Sequence, residues 1–441
     1  MLTRRTFLSQ LAWLQPLTLT VTRSPGVAAA SGQQSVRAGQ AALPASLAAL
    51  GSMRHLATPI ANDERRARLE KARRLMAREK LDAIVLTGGT SLTYFSGARW
   101  GTSERLMALV LPARGEPFGV VPRFEEERVR EQLRLGPLSA VELRLWQEDE
   151  SPYARLGQGL TDGGMATGRI GIEEGVKFVF SEGIASAMPG LQLASATPVV
   201  AGCRMEKDAH EVALMRLAGQ ATLACYQAVY HALEPGMTDT EAERLVAAAY
   251  DRLGFRGEAS VQVGEFTALP HGSTTPQTIR EGTIIMLDDG CTVEGYQSDI
   301  TRTFVLGKAT DKMKRVFDIV GRAQVAAFNA TRPGVPLASI DAAARTLIDQ
   351  AGFGPGFTYF THRLGHGLGM DMHEWPYLVK DNMFGWERTL AAARGMTFSN
   401  EPGIYIRGEF GIRLEDDMAV TDSGAEWLTR PSQSIEQPFA S

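Results

Sequence analysis

The chain is poor in cysteine, in histidine and in net charge. It has three cysteines, Cys203, Cys225 and Cys291, among 441 residues. Three leaves at least one unpaired, and no spacing among them suggests a disulfide framework or a zinc knuckle. Cys291 reads as a small packing residue. A formal net charge of −4 argues against a nucleic-acid partner. No glycine-rich phosphate loop follows any of the strands expected in the first half. The early apolar stretch, Leu11 to Val21, is short and broken by Gln15 and Pro16, too weak for stable membrane insertion. What is there is 44% hydrophobic and 22% charged, an ordinary globular composition with room for two domains.

The first residues carry an address. Thr3-Arg4-Arg5-Thr6-Phe7-Leu8 is a twin-arginine pattern, and Ala28-Ala29-Ala30 fits a small-residue cleavage site. Residues 1–30 are therefore expected to be a twin-arginine signal peptide, with export to the periplasm or the extracellular side. Residues 31–58 are rich in Ala, Ser, Gly and Gln and read as a linker.

A first domain is expected over 59–203. Asn62 is placed to cap a helix through Lys80, with Leu69, Ala72, Leu75 and Met76 as its apolar stripe. Strands are expected at 82–86, 106–111, 118–121 and 169–173, and helices at 124–135 and 181–188. This alternation predicts an α/β layer, and no catalytic constellation stands out in it. A second domain is expected over 204–441, opening with a long helix from Lys207 to Leu233. An internal repeat follows. Pro235 to Gly254 and Pro333 to Gly352 both span 19 positions, the second copy 98 residues after the first. Two copies suggest a duplicated helix-helix-strand unit about a pseudo-twofold axis, with any site between the halves drawing residues from both.

The chemistry lies in that second domain. Thr283 to Leu287 reads as a buried strand, Gly290 and Gly295 as turn residues, and Asp299 to Leu306 as a second strand. Asp288 and Asp299 are then expected to face each other across a hairpin. Two carboxylates that close repel unless a positive charge sits between them, and oxygen donors suit a hard or borderline divalent metal. His271 lies between Pro270 and Gly272 and reads as a loop residue. Three of the seven histidines, His362, His366 and His373, crowd into one stretch. Gly365, Gly367 and Gly369 make a helix there improbable, which excludes a helical zinc motif. Glu401 is expected at a strand end and Glu415 inside a short alternating strand. Two Asp, one His and two Glu form a credible site for two metals that activate a water.

The order of these residues resembles a family. Asp288 and Asp299, then His366 in Gly-His-Gly, then Glu401 in Asn-Glu-Pro-Gly, then Glu415 in Ile-Arg-Leu-Glu-Asp resemble the pita-bread metallopeptidases, among them methionine aminopeptidase, aminopeptidase P and prolidase. The resemblance covers about Arg204 to Leu428. It implies an α+β fold, a C-terminal pita-bread domain behind a smaller α/β creatinase-like domain. It implies that Asp288 chelates one metal, that His366 and Glu401 hold the other, and that Asp299 and Glu415 bridge them. It also implies Glu401 as general base, His271 and His373 as groups that stabilise the substrate amide and the tetrahedral intermediate, and His362 and Arg413 as pocket-lining residues. Aminopeptidase P, prolidase and creatinase carry a first domain, with a motif like Tyr94-Phe95-Ser96-Gly97 and a later Arg such as Arg105. Creatinases and histone-chaperone relatives lose the metal ligands, and all five positions are filled here.

The activity implied is hydrolysis of the Xaa-Pro bond at the N-terminus of short proline-containing peptides, as a dipeptidase or an aminopeptidase. Two divalent ions per chain are expected, Mn²⁺ ahead of Co²⁺ or Zn²⁺, and a homodimer. The alternatives are a pita-bread enzyme acting on a non-peptide substrate and a non-catalytic binding module. Two departures stand out. Asp289 occupies a position that is usually small or apolar. An insertion, Asp381 to Arg394, carries Trp386, Arg388 and Arg394, and Arg388 is the candidate for holding a dipeptide carboxylate.

Overall fold

The computed structural model describes residues 43–380 and 390–439. Packing begins inside the stretch expected to be a linker. The short helix α1 (Ala45–Ala48) buries Leu47 completely. Ser46 Oγ donates to the Ala228 carbonyl at 2.8 Å, and the Met53 N–H donates to the Leu253 carbonyl at 2.9 Å. The small-residue composition concealed three apolar residues, Leu47, Leu50 and Met53, that pack on the core of the second domain.

Helix α2 (Asn62–Glu79) opens the first domain. Asn62 is its first residue and not its cap; that position is Ala61, whose N–H donates to the Glu64 carboxylate at 2.6 Å. There follow β1 (Ala83–Thr87), α3 (Thr90–Ser96), β2 (Ala108–Pro112), β3 (Phe118–Pro122), α4 (Glu126–Leu133), β4 (Glu142–Trp146), α5 (Pro152–Asp162), β5 (Gly168–Ile172), α6 (Phe178–Ala187), β6 (Leu191–Ser195) and α7 (Thr197–Arg204). The strands make one sheet in the order β4-β3-β2-β1-β5-β6. Side-chain alternation along β1 sends Ile84 and Leu86 into a core with α2 and α7, and Ala83 and Val85 into a core with α5 and α6. A strand buried on both faces reads as a near-continuous apolar run, and β1 is apolar from Ala83 to Leu86.

Helix α8 (Ala209–Tyr230) begins the second domain with a reciprocal cap: the Asp208 carboxylate accepts the Glu211 N–H, and Glu211 accepts the Asp208 N–H, both at 2.9 Å. The chain continues through α9 (Asp239–Leu253), β7 (Arg256–Gly257), β8 (Ser260–Val263), β9 (Ile284–Asp289), β10 (Cys291–Val293), β11 (Tyr296–Gln297) and β12 (Ile300–Val305). A second half brings α10 (Asp311–Ala330), α11 (Leu337–Ile348), β13 (Gly365–Gly367), β14 (Glu374–Leu378), β15 (Thr397–Asn400), β16 (Gly403–Ile406), β17 (Phe410–Arg413), β18 (Asp416–Val420) and β19 (Ala425–Trp427).

The internal repeat becomes two helix pairs, α8 with α9 and α10 with α11. Corresponding glycines share a left-handed backbone: φ is 101° and 85° at Gly236 and Gly334, and 84° and 91° at Gly254 and Gly352. Ile285 and Leu287 of β9 join the core of the first helix pair, while Ile284 joins that of the second. Neighbouring residues of one strand therefore face opposite halves, and β9 and β12 lie between them.

Candidate metal centre

The β9–β12 arm carries the first two acids, in a register the sequence did not predict. Asp288 pairs with Thr301, not with Asp299. Gly290 does not turn the hairpin; β10 and β11 extend it, and the turn falls at Glu294 and Gly295, with φ of 48° and 93°. Alternation still leaves Asp299 and Thr301 on one face, so Asp299 is a diagonal neighbour of Asp288. Ligand oxygens of Asp288, Asp299 and Glu415 lie within 4.8 Å of one another. Thr301 Oγ stands 2.6 Å from both Asp288 Oδ1 and Glu415 Oε2, and accepts from Arg413 Nε at 3.0 Å.

Glu415 lies in the two-residue break between β17 and β18, not inside a strand. There the chain passes from one sheet to another, which interrupts the alternation read in the sequence. Buried Arg302 fixes the break by donating to the Glu415 carbonyl at 2.8 Å and to the Asp416 carboxylate at 2.7 Å. His366 on β13, Glu401 just after β15, and Glu415 form a second group of donors. His366 Nδ1 contacts the Gly367 carbonyl at 3.1 Å, so Nδ1 carries the proton. The bare Nε2 then faces Glu401 Oε1 at 3.3 Å and Asp299 Oδ2 at 3.6 Å.

Charge is unbalanced here. Burial first, and then the charges of Asp288 and Glu401, drive the Asp299 carboxyl well above its usual range. Glu415 is driven up by burial and then by Asp299. Burial raises Glu401 to about 7, against the pull of Arg413. Asp288 alone is lowered, because Arg413 and the Thr301 hydrogen bond overcome its burial. Burial and the neighbouring His373 hold the His366 pKa well below 6.5, so its ring is neutral, the form in which imidazole binds metal. Among the described residues Arg413 is the one guanidinium paired with any of these four carboxylates, and an imidazole lone pair is aimed at two of them, so the centre is short of positive charge. Divalent cations supply it, and one imidazole with four carboxylates is a donor set that a hard or borderline metal accepts.

These groups open onto a cavity of about 540 Å³, lined also by His271, His362, Arg363, Met372, His373 and Arg413. That lies within the ~300–1,000 Å³ of small-molecule sites. His271 is exposed on its loop. The His373 ring stacks on His366 with centroids 3.7 Å apart, and a His373 nitrogen forms a third close group with Asp299 and His366. His362 and Arg413 line the cavity as expected, with their polar atoms already engaged. His362 Nδ1 meets the Arg363 carbonyl at 2.7 Å, so its Nε2 accepts from the Tyr405 hydroxyl at 2.7 Å. Burial and the nearby Arg413 push the His362 pKa down to about 3. Arg413 bonds Asp288, Thr301, the Pro270 carbonyl and Tyr405. Asp289 lines the cavity but enters none of the three donor groups; its carboxylate accepts the Gly290 N–H at 3.1 Å. Arg388 and Trp386 lie outside the described residues. Arg394 forms an exposed ion pair with Asp422, and Arg105 one with Glu148.

Sequence reasoning missed Thr301, Ser399, Tyr405 and Arg363. Ser399 Oγ donates to Glu401 Oε1 and accepts the His366 N–H, both at 3.1 Å. Thr301 was within reach, since it shares the strand face of Asp299. A single hydroxyl such as Tyr405 in an apolar strand carries no such signal.

Both domains are similar to known proteins. Residues 213–422 match metallopeptidase family M24, and residues 68–206 match the creatinase/prolidase N-terminal domain. A probable dipeptidase, PepE, of Mycobacterium tuberculosis is 36% identical over 368 residues, which is 81% of this chain and 92% of the relative. An Xaa-Pro dipeptidase of Lactobacillus delbrueckii subsp. lactis is 27% identical over 374 residues, 83% of this chain and 98% of the relative. The crystal structure of dipeptidase PepE from Mycobacterium ulcerans matches with a TM-score of 0.78 at 34% identity, covering 86% of this chain and 98% of that one. With similarity running through both domains, the chain belongs to metallopeptidase family M24 and carries the creatinase/prolidase type of N-terminal domain.

Proposed function

We propose that this chain is a dinuclear-metal exopeptidase that hydrolyses the Xaa-Pro bond at the N-terminus of short peptides. One observation carries the reading: a single cavity gathers Asp288, Asp299, His366, Glu401 and Glu415 with His271 and His373. The relatives named as dipeptidase and Xaa-Pro dipeptidase support the substrate class. Asp288 would hold one ion, His366 and Glu401 the other, and Asp299 and Glu415 both. Two divalent ions supply a Lewis acid and a nucleophile at neutral pH. Manganese is the ion we favour; cobalt and zinc suit the same donors.

The chain's own groups handle the protons. Glu401, beside His366 and within hydrogen-bond reach of Ser399, is the carboxylate we assign to take the proton and return it to the leaving proline nitrogen. Arginine only donates, so His373 Nδ1, 3.1 Å from Arg363 Nη2, must accept, and its Nε2 carries the hydrogen. Burial, and then Arg363, lower the His373 pKa and favour this neutral form. Such an N–H is a donor for the developing oxyanion. His271 is the second candidate donor.

The test is hydrolysis of Xaa-Pro dipeptides and tripeptides by the metal-loaded protein, with elemental analysis alongside. Asp299→Ala and Glu415→Ala are each expected to lose both ions, because each residue bridges. Full occupancy in either variant overturns the bridging assignment, and a metal-loaded enzyme inert on every Xaa-Pro peptide overturns the activity. We infer also that the chain is exported by the twin-arginine route, on the strength of Thr3 to Leu8 and the apolar stretch behind them. Replacing Arg4 and Arg5 by lysine should retain the protein in the cytoplasm, and unchanged fractionation would refute the route.

A further inference from the structure

Among the described residues, every residue lining the metal-centre cavity comes from the second domain. The first domain nevertheless reaches the site through the segment that carries His373. That segment runs from Gly369 to Glu374, and the two acids that flank His373 are gripped from the junction between the domains. Arg204, the last residue of α7, donates from Nη2 to Asp371 Oδ2 at 2.5 Å and to Glu374 Oε2. Thr90, the first residue of α3, donates to the other Asp371 oxygen at 2.5 Å. Lys207 Nζ donates to the other Glu374 oxygen at 2.7 Å, with only 1% of its side chain exposed. The Asp371 N–H closes the turn on Glu374 Oε2 at 3.3 Å. All four carboxylate oxygens are thus taken, and His373 lies between the two anchors.

There is little slack in this clamp. A Cβ on Gly369 would stand 2.5 Å from Glu374 Oε1 and 2.8 Å from Lys207 Cε. Just beyond the turn, Trp375 Nε1 donates to Glu174 of the first domain at 3.1 Å. A buried ion pair is weak evidence of stabilisation in itself, since desolvation offsets much of the attraction; its best-attested use is to fix a register. The register fixed here is that of a histidine ring stacked on the metal donor His366 at 3.7 Å.

We infer that Arg204, assisted by Thr90, is a positioning residue that clamps Asp371 and Glu374 from the domain junction and thereby sets the His373 imidazole in the active site. The inference rests on the role given to His373 above. It assigns the first domain a part in catalysis without a residue in the cavity.

The experiment is a double-mutant cycle on the full-length, metal-loaded enzyme, read as kcat and KM separately. Arg204→Gln should lower kcat by about 10–10²-fold, the scale on which a misplaced group slows a reaction, with KM and metal content near wild type. Thr90→Val leaves the buried charges intact and should lower kcat by roughly two- to tenfold. In a His373→Ala background both effects should vanish, because the group being positioned is gone. Independent, multiplying effects would overturn the inference, and if Arg204→Gln does not fold, the Thr90→Val cycle decides alone. Hydrogen exchange reports the clamp without reference to activity: amides from Met370 to Glu374 should exchange faster in Thr90→Val, and unchanged rates would refute the clamp. A His373→Ala enzyme with full kcat would instead refute the role of that histidine and the catalytic half of the inference.

Discussion

Among the described residues two arginines line the cavity, and only one has its charge spoken for. Arg413 is bound to Asp288 and Tyr405. The Arg363 guanidinium lies 4.3 Å over the Tyr377 ring and reaches His373, and it pairs with no carboxylate among the described residues. A dipeptide ending in proline presents a free carboxylate right after the scissile bond, and the planar guanidinium fork suits it. The sequence offered Arg388 for that task, and Arg388 lies outside the described residues. Arg363→Met also removes the donor to His373, so it is expected to lower kcat/KM on every substrate, and to lower it by a further factor of about 10–150, the cost of a charge-assisted contact of ~1.5–3 kcal/mol, on an Xaa-Pro dipeptide relative to the same sequence extended by one residue. The opposite pattern, with the ratio moving in Arg388→Ala and not in Arg363→Met, would give the carboxylate to the loop. The clustering of Asp288, Asp299, His366, Glu401 and Glu415 was legible from their pattern taken together and from the family it resembles, since either glutamate taken singly reads as a surface acid. Arg363 was passed over because a charge next to His362 reads like any surface charge until the cavity is seen.

At the scale of elements, glycine misled in one place and informed in another. Helix α5 was not anticipated, since Gly157 and Gly159 count against a helix. Both are there for contact: a Cβ on Gly159 would stand 2.4 Å from the Phe118 ring, and one on Gly157 2.7 Å from Met188 Sδ. Strands β4 and β6 also escaped, because they are partly exposed and their apolar residues alternate with polar ones over only five positions. Gly365 and Gly367, on either side of His366, are sites of close approach, and the partner is backbone. A Cβ on Gly365 would fall 2.1 Å from the Ser399 carbonyl oxygen, and one on Gly367 2.5 Å from the Trp375 carbonyl. A carbonyl in a ladder has nowhere to go, so Gly365→Ala must part β13 from β15 and move His366. We expect it to cost at least the ~1–3 kcal/mol of ordinary overpacking, with a matching loss of metal affinity. Gly424→Ala, with open space around the added carbon, is the control and should stay within about 0.5 kcal/mol. Urea unfolding and metal titration compare the two, and a wild-type-like Gly365→Ala would show that the strands have room.

At the scale of the molecule, the two-domain order was legible from alternating elements and from the repeat, whereas the seam between the domains was not. Pattern reading takes each stretch against its own neighbours, and the seam joins residues far apart in sequence. His210 on α8 meets Glu64 on α2 there: Nδ1 lies 2.7 Å from the Glu64 carboxylate and Nε2 3.0 Å from the Thr58 carbonyl. Both ring nitrogens face acceptors, which the doubly protonated imidazolium satisfies. Partial burial works against that charge, but the Glu64 hydrogen bond and charge, with Asp208 adding to them, raise the His210 pKa above 6.5. Glu64 is lowered below 4.5: burial opposes its charge, while the Ala61 N–H, His210 and Arg68 overcome it. The signs fix a window. Glu64 stabilises the fold above pH 4.5 and loses this as pH falls through its lowered value; His210 stabilises fully below pH 6.5 and loses this as pH rises through its raised value. The pair therefore contributes most between those limits. With a quarter of each side chain exposed, it is worth about 0.5–1 kcal/mol. Denaturant unfolding of wild type and His210→Gln should differ by that much near about pH 5.5, and the gap should close by about pH 9 as the imidazolium loses its proton. A gap that stays constant across this range would mean that His210 contributes through packing and that the seam carries no charge-dependent contact at this point.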